Sequence, residues 1–230
     1  MAISAVAVYV ELGRRRVFAG ALEWPGWCRS GRDEDSALEA LVAYAPRYAA
    51  AIGPGARRLK IPSDVSALRI AERLEGNATT DFGAPAIAPA LDGRPLKDDE
   101  RERLVEILIA SWSALDVAAD AASSAVLRTG PRGGGRELDA IRAHVFEADR
   151  AYLSRLGGSH RRSKNAPFAD ELAGLRQTIV DALASGPAAQ KPSKNRRTAP
   201  WTPRYTVRRS AWHALDHTWE IEDRSSAECT

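Results

Sequence analysis

The sequence predicts an α+β protein that is mainly helical, with a small strand-containing unit followed by a four-helix bundle. The first quarter of the chain holds β-branched segments around short turns, which is typical of strands. From residue 98 onward, apolar residues recur at helical spacing in four long segments. Between these parts, proline and glycine interrupt any periodic pattern. We therefore expect a domain over residues 1–75, a linker over 76–97, a second domain over 98–224 and a tail over 225–230.

Two strands are predicted to open the chain as a hairpin. Residues 3–12 form the first strand and residues 16–23 its partner, with a basic turn between them. The stretch 24–31 is rich in turn-forming residues and is predicted to be a loop with exposed aromatic side chains. Further along, residues 58–75 are predicted to hold one or two short strands, with 68–74 the best candidate.

A helix is predicted over residues 33–52, between these strands. Asp33 or Asp35 could cap its first turn, and apolar residues recur along one face. Pro46 has no amide hydrogen to donate, so we expect it to bend the helix or to end it early.

This order of two strands, a helix and a strand resembles HicB-like domains. Those domains carry a proline-glycine-cysteine turn before a helix rich in alanine and leucine. The matching positions here are Leu22, Pro25, Gly26, Cys28, Gly31, Ala37 and Leu38. The resemblance covers about the first quarter of the chain and implies a small α/β unit of the kind found in antitoxins. No helix-turn-helix or ribbon-helix-helix pattern follows it, so we expect the unit to serve another use.

Four helices are predicted in the second part of the chain. They cover about 98–122, 137–156, 167–185 and 203–222, with Gly157 and Gly158 ending the second and Pro203 opening the last. Helices of this length joined by loops favour a four-helix bundle. In the linker before them, Phe82 suggests a segment that packs on one of the domains.

Half of the four histidines lie in the last predicted helix. His213 and His217 are four residues apart, so their imidazoles share one helix face and can reach a single ion. His144 lies in the second predicted helix, three residues after Ile141, on the face that we expect to be buried. Buried neutral imidazoles need partners, and one shared metal would satisfy all three. The alternative is that each is an ordinary hydrogen-bonded core residue.

These histidines resemble the pattern of the DinB-like superfamily of metal-binding four-helix bundles, which includes the DinB, YfiT and mycothiol-dependent maleylpyruvate isomerase N-terminal groups. That superfamily carries one histidine on its second helix and HxxxH on its last. Residues 141–149 match the first element and residues 212–217 the second, within a resemblance that spans about 98–224. It implies that His144, His213 and His217 bind a divalent metal, which is zinc or else nickel, manganese or iron. It also implies a low-molecular-weight thiol such as mycothiol as co-substrate.

Carboxylates close to the histidines are candidates for the catalytic chemistry. Glu220 lies one turn from His217 and is the first choice, either as a base or as an acceptor that orients the histidine. Asp216 lies beside it on the same helix. Glu147 and Asp149, on the second predicted helix, are alternatives.

Several arginines could bind the anionic part of a substrate or thiol. Arg132 and Arg136 precede the second predicted helix, and Arg208 and Arg209 lie in the last one. For most of these four, a surface position that favours solubility is the simpler interpretation.

The sequence therefore predicts a metal-dependent enzyme, a thiol S-transferase or a thiol-dependent isomerase, with a pocket between the two domains for a small-molecule electrophile. One alternative is a hydrolase in which the metal activates water. Another is a non-catalytic binding or regulatory module built on the HicB-like part.

Composition argues against other classes. The formal net charge is only +3 and acidic residues alternate with basic ones, so nucleic acid is not expected as a partner. The two cysteines, Cys28 and Cys229, provide no disulfide framework and fit a reducing cytoplasm. No apolar run reaches membrane-spanning length, and no signal peptide is expected. We expect a cytoplasmic protein, and the sequence leaves open whether it forms a homodimer.

Overall fold

The computed structural model describes residues 5–124, 126–129, 135–163, 165–185 and 200–225. Within them, a four-stranded mixed sheet and seven α-helices form an α+β fold. The strands are β1 (Val6–Leu12), β2 (Val17–Ala21), β3 (Cys28–Gly31) and β4 (Leu68–Glu75). The helices are α1 (Glu34–Ala43), α2 (Ala45–Ile52), α3 (Ala78–Phe82), α4 (Asp98–Ala121), α5 (Leu138–Leu156), α6 (Phe168–Ala184) and α7 (Pro203–Ser225).

The predicted hairpin forms the middle of the sheet. β1 pairs antiparallel with β2, with Leu12 opposite Val17, and parallel with β4, so the strand order is β3-β2-β1-β4. Gly13 closes the turn by donating its amide to the Arg16 carbonyl at 3.0 Å. The segment 58–75 contributes a single strand, β4, which begins at the position that the sequence indicates.

The stretch 24–31 is not the exposed loop that the sequence predicts. Its last four residues form β3, and Trp24 and Trp27 are both buried. Trp27 stacks on Tyr48 with ring centroids 5.7 Å apart, and its indole nitrogen donates to the Leu41 carbonyl at 2.8 Å. A strand of four residues is too short to show a clear alternation, and these aromatic side chains pack into the core between the sheet and the α1–α2 pair.

The single helix predicted over 33–52 is two helices. Asp33 caps α1, since its carboxylate accepts a hydrogen bond from the Ser36 amide at 2.9 Å. Tyr44 separates α1 from α2, and Pro46 lies in the first turn of α2, where no amide hydrogen is needed. The expectation that the helix ends early is confirmed, although the chain begins a new helix at once.

The linker packs on the sheet through polar groups rather than through Phe82. The predicted packing of this segment on one domain is confirmed, but the Phe82 side chain, which is 87% exposed, takes no part in it. The contact is made instead by Glu11, which is fully buried on β1. Its carboxylate accepts hydrogen bonds from the Thr80 hydroxyl at 2.5 Å and from the Ala86 amide at 2.9 Å. A buried carboxylate needs donors, and the linker supplies them from its own backbone and from α3.

The four long helices α4–α7 surround one apolar core. Their bounds agree with the predicted ones to within three residues at each end. Leu108, Ile141, Leu175 and Ala214, one from each helix, are fully buried there. Among the described residues, no helix has both the length and the apolar content that crossing a bilayer requires.

A second apolar core joins the sheet to these helices. Ile107 of α4 and Leu215 and Trp219 of α7 pack with residues of the strands and of α1 and α2. Gly26 adopts φ +91° against α7, where a Cβ would lie 2.9 Å from Leu215. Because α7 contacts both parts of the protein, its rotation about its own axis is fixed. That rotation decides where His213 and His217 lie.

Asp149 is a carboxylate buried on α5, inside the helical core. The Trp112 indole nitrogen and the Ser210 hydroxyl donate to it at 2.9 and 2.5 Å. Burial raises the pKa of Asp149 to about 6, above the value of 3.8 that an aspartate ordinarily has. The folded protein favours the neutral, protonated form of this group. Its contribution to stability is therefore fully present below pH 3.8 and is lost as the pH rises through about 6, where the buried carboxyl group must ionise.

Asp149→Asn is expected to remove this pH dependence. The free energy of unfolding of the variant, relative to that of the wild type, should rise by about 1–3 kcal/mol from pH ~4 to pH ~8. Urea unfolding at each pH measures the change. Asp120→Asn removes the same charge from an exposed position on α4 and is the matched control. A difference between variant and wild type that stays constant over this range would contradict the prediction.

Candidate metal centre

Three histidines converge where α5 packs against α7. His213 and His217 lie one turn apart on α7 and are only 7% and 8% exposed. His144 comes from α5 and is partly exposed. The three ring centroids are 4.8, 4.9 and 5.2 Å apart, and the rings meet at steep angles. The structure thus brings together the three residues that the sequence singles out.

The spacing of the nitrogen atoms suits a metal ion. Nε2 of His213 and Nε2 of His144 are 3.1 Å apart. Two nitrogens bound to one ion at ~2.0–2.2 Å lie about 2.8–3.6 Å apart in tetrahedral or octahedral geometry. One ligand atom from each histidine lies within 4.8 Å of the other two. The widest separation must shorten by roughly 1.5 Å to give a regular set, which a side-chain rotation can provide.

Glu220 holds the third histidine in position. Its carboxylate accepts a hydrogen bond from Nδ1 of His217 at 2.7 Å and another from the Arg224 guanidinium at 2.8 Å. The hydrogen bond from His217 lowers the pKa of Glu220, so the group is a carboxylate at neutral pH. With the proton on Nδ1, the lone pair of His217 is on Nε2. A carboxylate on the far side of a ligating imidazole is the usual arrangement in metal sites.

Burial keeps two of the imidazoles neutral. It lowers the pKa of His213 well below 6.5, and the neighbouring histidines lower it further. It also lowers the pKa of His144, with help from the positive charge of Arg136. A neutral imidazole has the lone pair that a metal ion binds. Both residues are therefore ready to act as ligands at neutral pH.

Ordinary hydrogen bonding does not satisfy this cluster. Nε2 of His213 and Nε2 of His144 face each other, and only one of them can donate in that contact. Nδ1 of His213 is buried and has no hydrogen-bond partner. Buried polar atoms are nearly always paired in native proteins, so this nitrogen carries a cost, which an ion bound at Nε2 would not remove. A shared ion would explain why the two Nε2 atoms converge.

The other predicted site residues lie at different distances from the cluster. Asp216 faces the sheet, where it accepts a hydrogen bond from Arg29 at 2.9 Å. Arg136 is exposed, and its backbone carbonyl accepts from Arg224 at 2.8 Å. Arg132 lies outside the described residues. Glu220 is thus the predicted carboxylate that touches a histidine of the cluster, whereas the proposed catalytic role of Asp216 stays a prediction.

Arg208 and Arg209 are not surface residues, contrary to the simpler interpretation of the sequence. Arg208 is 5% exposed and binds the buried Asp92. Arg209 is 7% exposed, donates to the Pro85 carbonyl, and lies 4.8 Å above the Trp212 ring. Both guanidinium groups link α7 to the linker, where backbone and carboxylate oxygens need donors.

Three neighbours of the cluster are not evident from the sequence. Arg224 connects Glu220 to the carbonyls of residues 128 and 136, and so ties the segment before α5 to the end of α7. The ring of Trp212 lies 5.9 Å from that of His213, and the ring of Tyr152 lies 6.1 Å from it on another side. The spacing of four residues from Glu220 to Arg224 is the one signal that could have revealed an ion pair.

Glu220→Gln is expected to weaken metal binding by roughly 10–100-fold, because the amide holds the imidazole of His217 less firmly and leaves it less basic. Competition with a chromophoric zinc chelator measures the dissociation constant. Asp216→Asn removes the same charge from the same helix but contacts Arg29, so it should leave the constant unchanged. Equal effects of the two substitutions would show that Glu220 acts through net charge alone.

The arrangement offers two neutral imidazoles and a third one oriented by a carboxylate. Three such ligands leave at least one coordination position for a substrate, as in catalytic rather than structural zinc sites. Tyr152 and Trp212 provide aromatic walls beside His213. Comparison of the chain with protein-family models, with curated proteins and with solved structures finds no match, so the assignment of this centre rests on its geometry.

Proposed function

We propose that the chain is a metal-dependent enzyme that uses a low-molecular-weight thiol, as a thiol S-transferase or a thiol-dependent isomerase. The observation that carries the proposal is the convergence of His144, His213 and His217, with ligand atoms within 4.8 Å of one another. The hydrogen bond from His217 to Glu220 supports it, because it places the proton on Nδ1 and leaves Nε2 free to bind an ion.

The order of the ligands along the chain also supports the proposal. α5 is the second of the four long helices and α7 the last, and they carry one histidine and HxxxH respectively. This is the pattern of the DinB-like four-helix bundles, many of which transfer mycothiol or bacillithiol. On this proposal the helical part is DinB-like, and the sheet with α1 and α2 is the HicB-like unit that precedes it.

The donor set fits a divalent ion of the borderline class. Imidazole nitrogen suits zinc, nickel and iron, and is also found with manganese. An ion held there would lower the pKa of a thiol or a water molecule that reaches its open position. The residues of the chain keep the imidazoles of His144 and His213 neutral, fix the tautomer of His217 through Glu220, and provide an aromatic wall at His213.

The exposed guanidinium of Arg136 is the group best placed for an anionic thiol or substrate. Its positive charge is close enough to contribute to the lowered pKa of His144. Its backbone is held by Arg224, which also binds Glu220. A carboxylate on the incoming molecule can therefore pair with Arg136 while its thiol faces the histidines.

The proposal is tested by a thiol-conjugation assay. The zinc-loaded protein is mixed with monochlorobimane and either mycothiol, bacillithiol or no thiol. In the expected reaction the thiol sulfur bonds to the chloromethyl carbon, chloride leaves, and the thiol proton passes to solvent. We expect zinc-dependent formation of the fluorescent conjugate with at least one thiol, and no such formation by His213→Ala.

Two outcomes would favour a different function. Hydrolysis of p-nitrophenyl acetate by the zinc-loaded protein without thiol, lost in His213→Ala, would favour the hydrolase alternative. A protein that co-purifies with nucleic acid or another protein, and whose melting temperature does not respond to zinc, nickel or manganese, would favour the binding module.

A further inference from the structure

A cavity of about 580 Å³ lies between the sheet and the helices, away from the histidines. Arg204 and Arg208 are the α7 residues in its wall, nine and five positions before His213. At ~3.6 residues per turn, they lie on roughly the opposite face of α7 from the histidines. The sequence predicts a pocket between the two units that serves the metal site, whereas this cavity lies on the other side of the helix.

Positive charge dominates the wall of this cavity. Six cationic side chains and three acidic ones line it, which gives a net charge of +3. The cationic residues are Arg58, Lys60, Arg69, Arg103, Arg204 and Arg208. The chain as a whole also carries only +3, so its excess positive charge is no larger than that of this one cavity.

One pair of charges is fully internal and serves the fold. Arg208 binds both carboxylate oxygens of Asp92, at 2.7 and 2.8 Å, and two further donors reach the carbonyls of Ala21 and Leu22. Because four of its five N–H donors are engaged and its charge is balanced by Asp92, this residue adds little binding capacity. The other five cations face only two acidic residues, Glu23 and Glu100.

Two arginines in the inner part of the wall are held in position with donors to spare. Arg204 donates to Glu100 at 2.7 Å, while its Nε atom is buried and has no hydrogen-bond partner. Arg103 lies 4.3 Å above the Trp24 ring, and one of its nitrogens donates to the Glu23 carbonyl at 2.9 Å. A guanidinium fixed in this way loses little conformational entropy when it binds an anion.

Three exposed cations in the outer part of the wall have no acidic partner in the part of the chain that the structure describes. Arg58, Lys60 and Arg69 are exposed, and no ion pair among the described residues includes them. Elsewhere in the same part of the protein, Arg47 and Arg73 each bind a carboxylate. Three neighbouring unpaired cations repel one another, and an anion between them would remove that cost.

We propose that this cavity binds a small organic molecule whose negative charge is carried by phosphate groups. Its volume lies in the range of ~300–1,000 Å³ that is typical of small-molecule sites. Phosphate oxygens match the fork of donors that arginine presents, and two linked phosphates can contact both the inner and the outer cations. Trp24, Leu91 and Leu104 give the wall an apolar part against which the organic portion can pack. The site is independent of the metal centre and of the function proposed for it.

Isothermal titration calorimetry of the full-length protein with inorganic pyrophosphate tests this proposal. We expect saturable binding by the wild type. Arg69→Gln and Arg103→Gln should each weaken it by roughly fivefold to tenfold, since each removes one charged donor. Arg69 is exposed, so that variant keeps its fold even if Arg103→Gln does not.

Two control variants give the result its meaning. Arg57→Gln removes the same charge next to Arg58 but from a residue outside the cavity wall, and it should bind like the wild type. His213→Ala should also bind like the wild type, because the cavity lies on the other side of α7 from the histidines. If a metal at the histidines held the pyrophosphate instead, this variant would lose binding. Absence of binding by the wild type, equal weakening by Arg57→Gln, or loss of binding in His213→Ala would each overturn the proposal.

Discussion

Replacing His213 with alanine is expected to reduce bound zinc from about one ion per chain to almost none. His213 would be the central ligand, because its Nε2 lies 3.1 Å from Nε2 of His144 and it shares a helix face with His217. Two remaining imidazoles on different helices bind far more weakly than three. Equilibrium dialysis against zinc, followed by elemental analysis of the protein, measures the content.

His160→Ala is the matched control for this experiment. His160 is the fourth histidine, and it contacts Glu171 rather than the cluster. Its replacement should leave about one zinc per chain, as in the wild type. Zinc content that is equally low in the wild type and in His213→Ala would mean that the three histidines do not form a metal site.

The second large effect is expected at the buried pair of Asp92 and Arg208. Asp92→Ala should lower the free energy of unfolding by about 3–5 kcal/mol, because it leaves a buried guanidinium without its counter-charge. Asp92 is fully buried and the Arg208 side chain is only 6% exposed, so water cannot replace the carboxylate. Urea unfolding monitored by tryptophan fluorescence measures the loss.

Two further variants locate the cause of this loss. Asp98→Ala breaks an ion pair whose aspartate is 91% exposed, and should cost less than about 1 kcal/mol. Adding Arg208→Met to Asp92→Ala should restore part of the stability, because it removes the unpaired charge. If Asp92→Ala cost as little stability as Asp98→Ala, the pair of Asp92 and Arg208 would have to be accessible to water, which would contradict the prediction.

The helices and the histidine cluster are the parts of the structure that local sequence patterns predict well. Long amphipathic segments with a 3.6-residue period have little ambiguity, and Gly157 and Pro203 mark their ends. His213 and His217 are positioned by helical geometry alone, so their common face follows from spacing. To predict that His144 lies on the same side as these two, only the buried face of one further helix had to be identified.

The parts that local patterns miss depend on contacts between distant residues. Arg208 meets Asp92 across 116 positions of the chain, and no local pattern distinguishes it from a solvent-exposed arginine. Trp27 is buried because Tyr48 and Leu41 lie over it, although the residues next to it in the sequence predict a turn. Phe82 shows the converse, since a large aromatic residue does not imply burial when polar groups of the same segment make the contact.

The most direct test of the metal centre is anomalous X-ray diffraction from crystals of the zinc-loaded wild-type protein, with data collected on both sides of the zinc absorption edge. We expect one strong anomalous peak with imidazole nitrogens of His144, His213 and His217 at ~2.0–2.2 Å from it. A peak bound to other residues, or no peak near these histidines in zinc-saturated crystals, would contradict it.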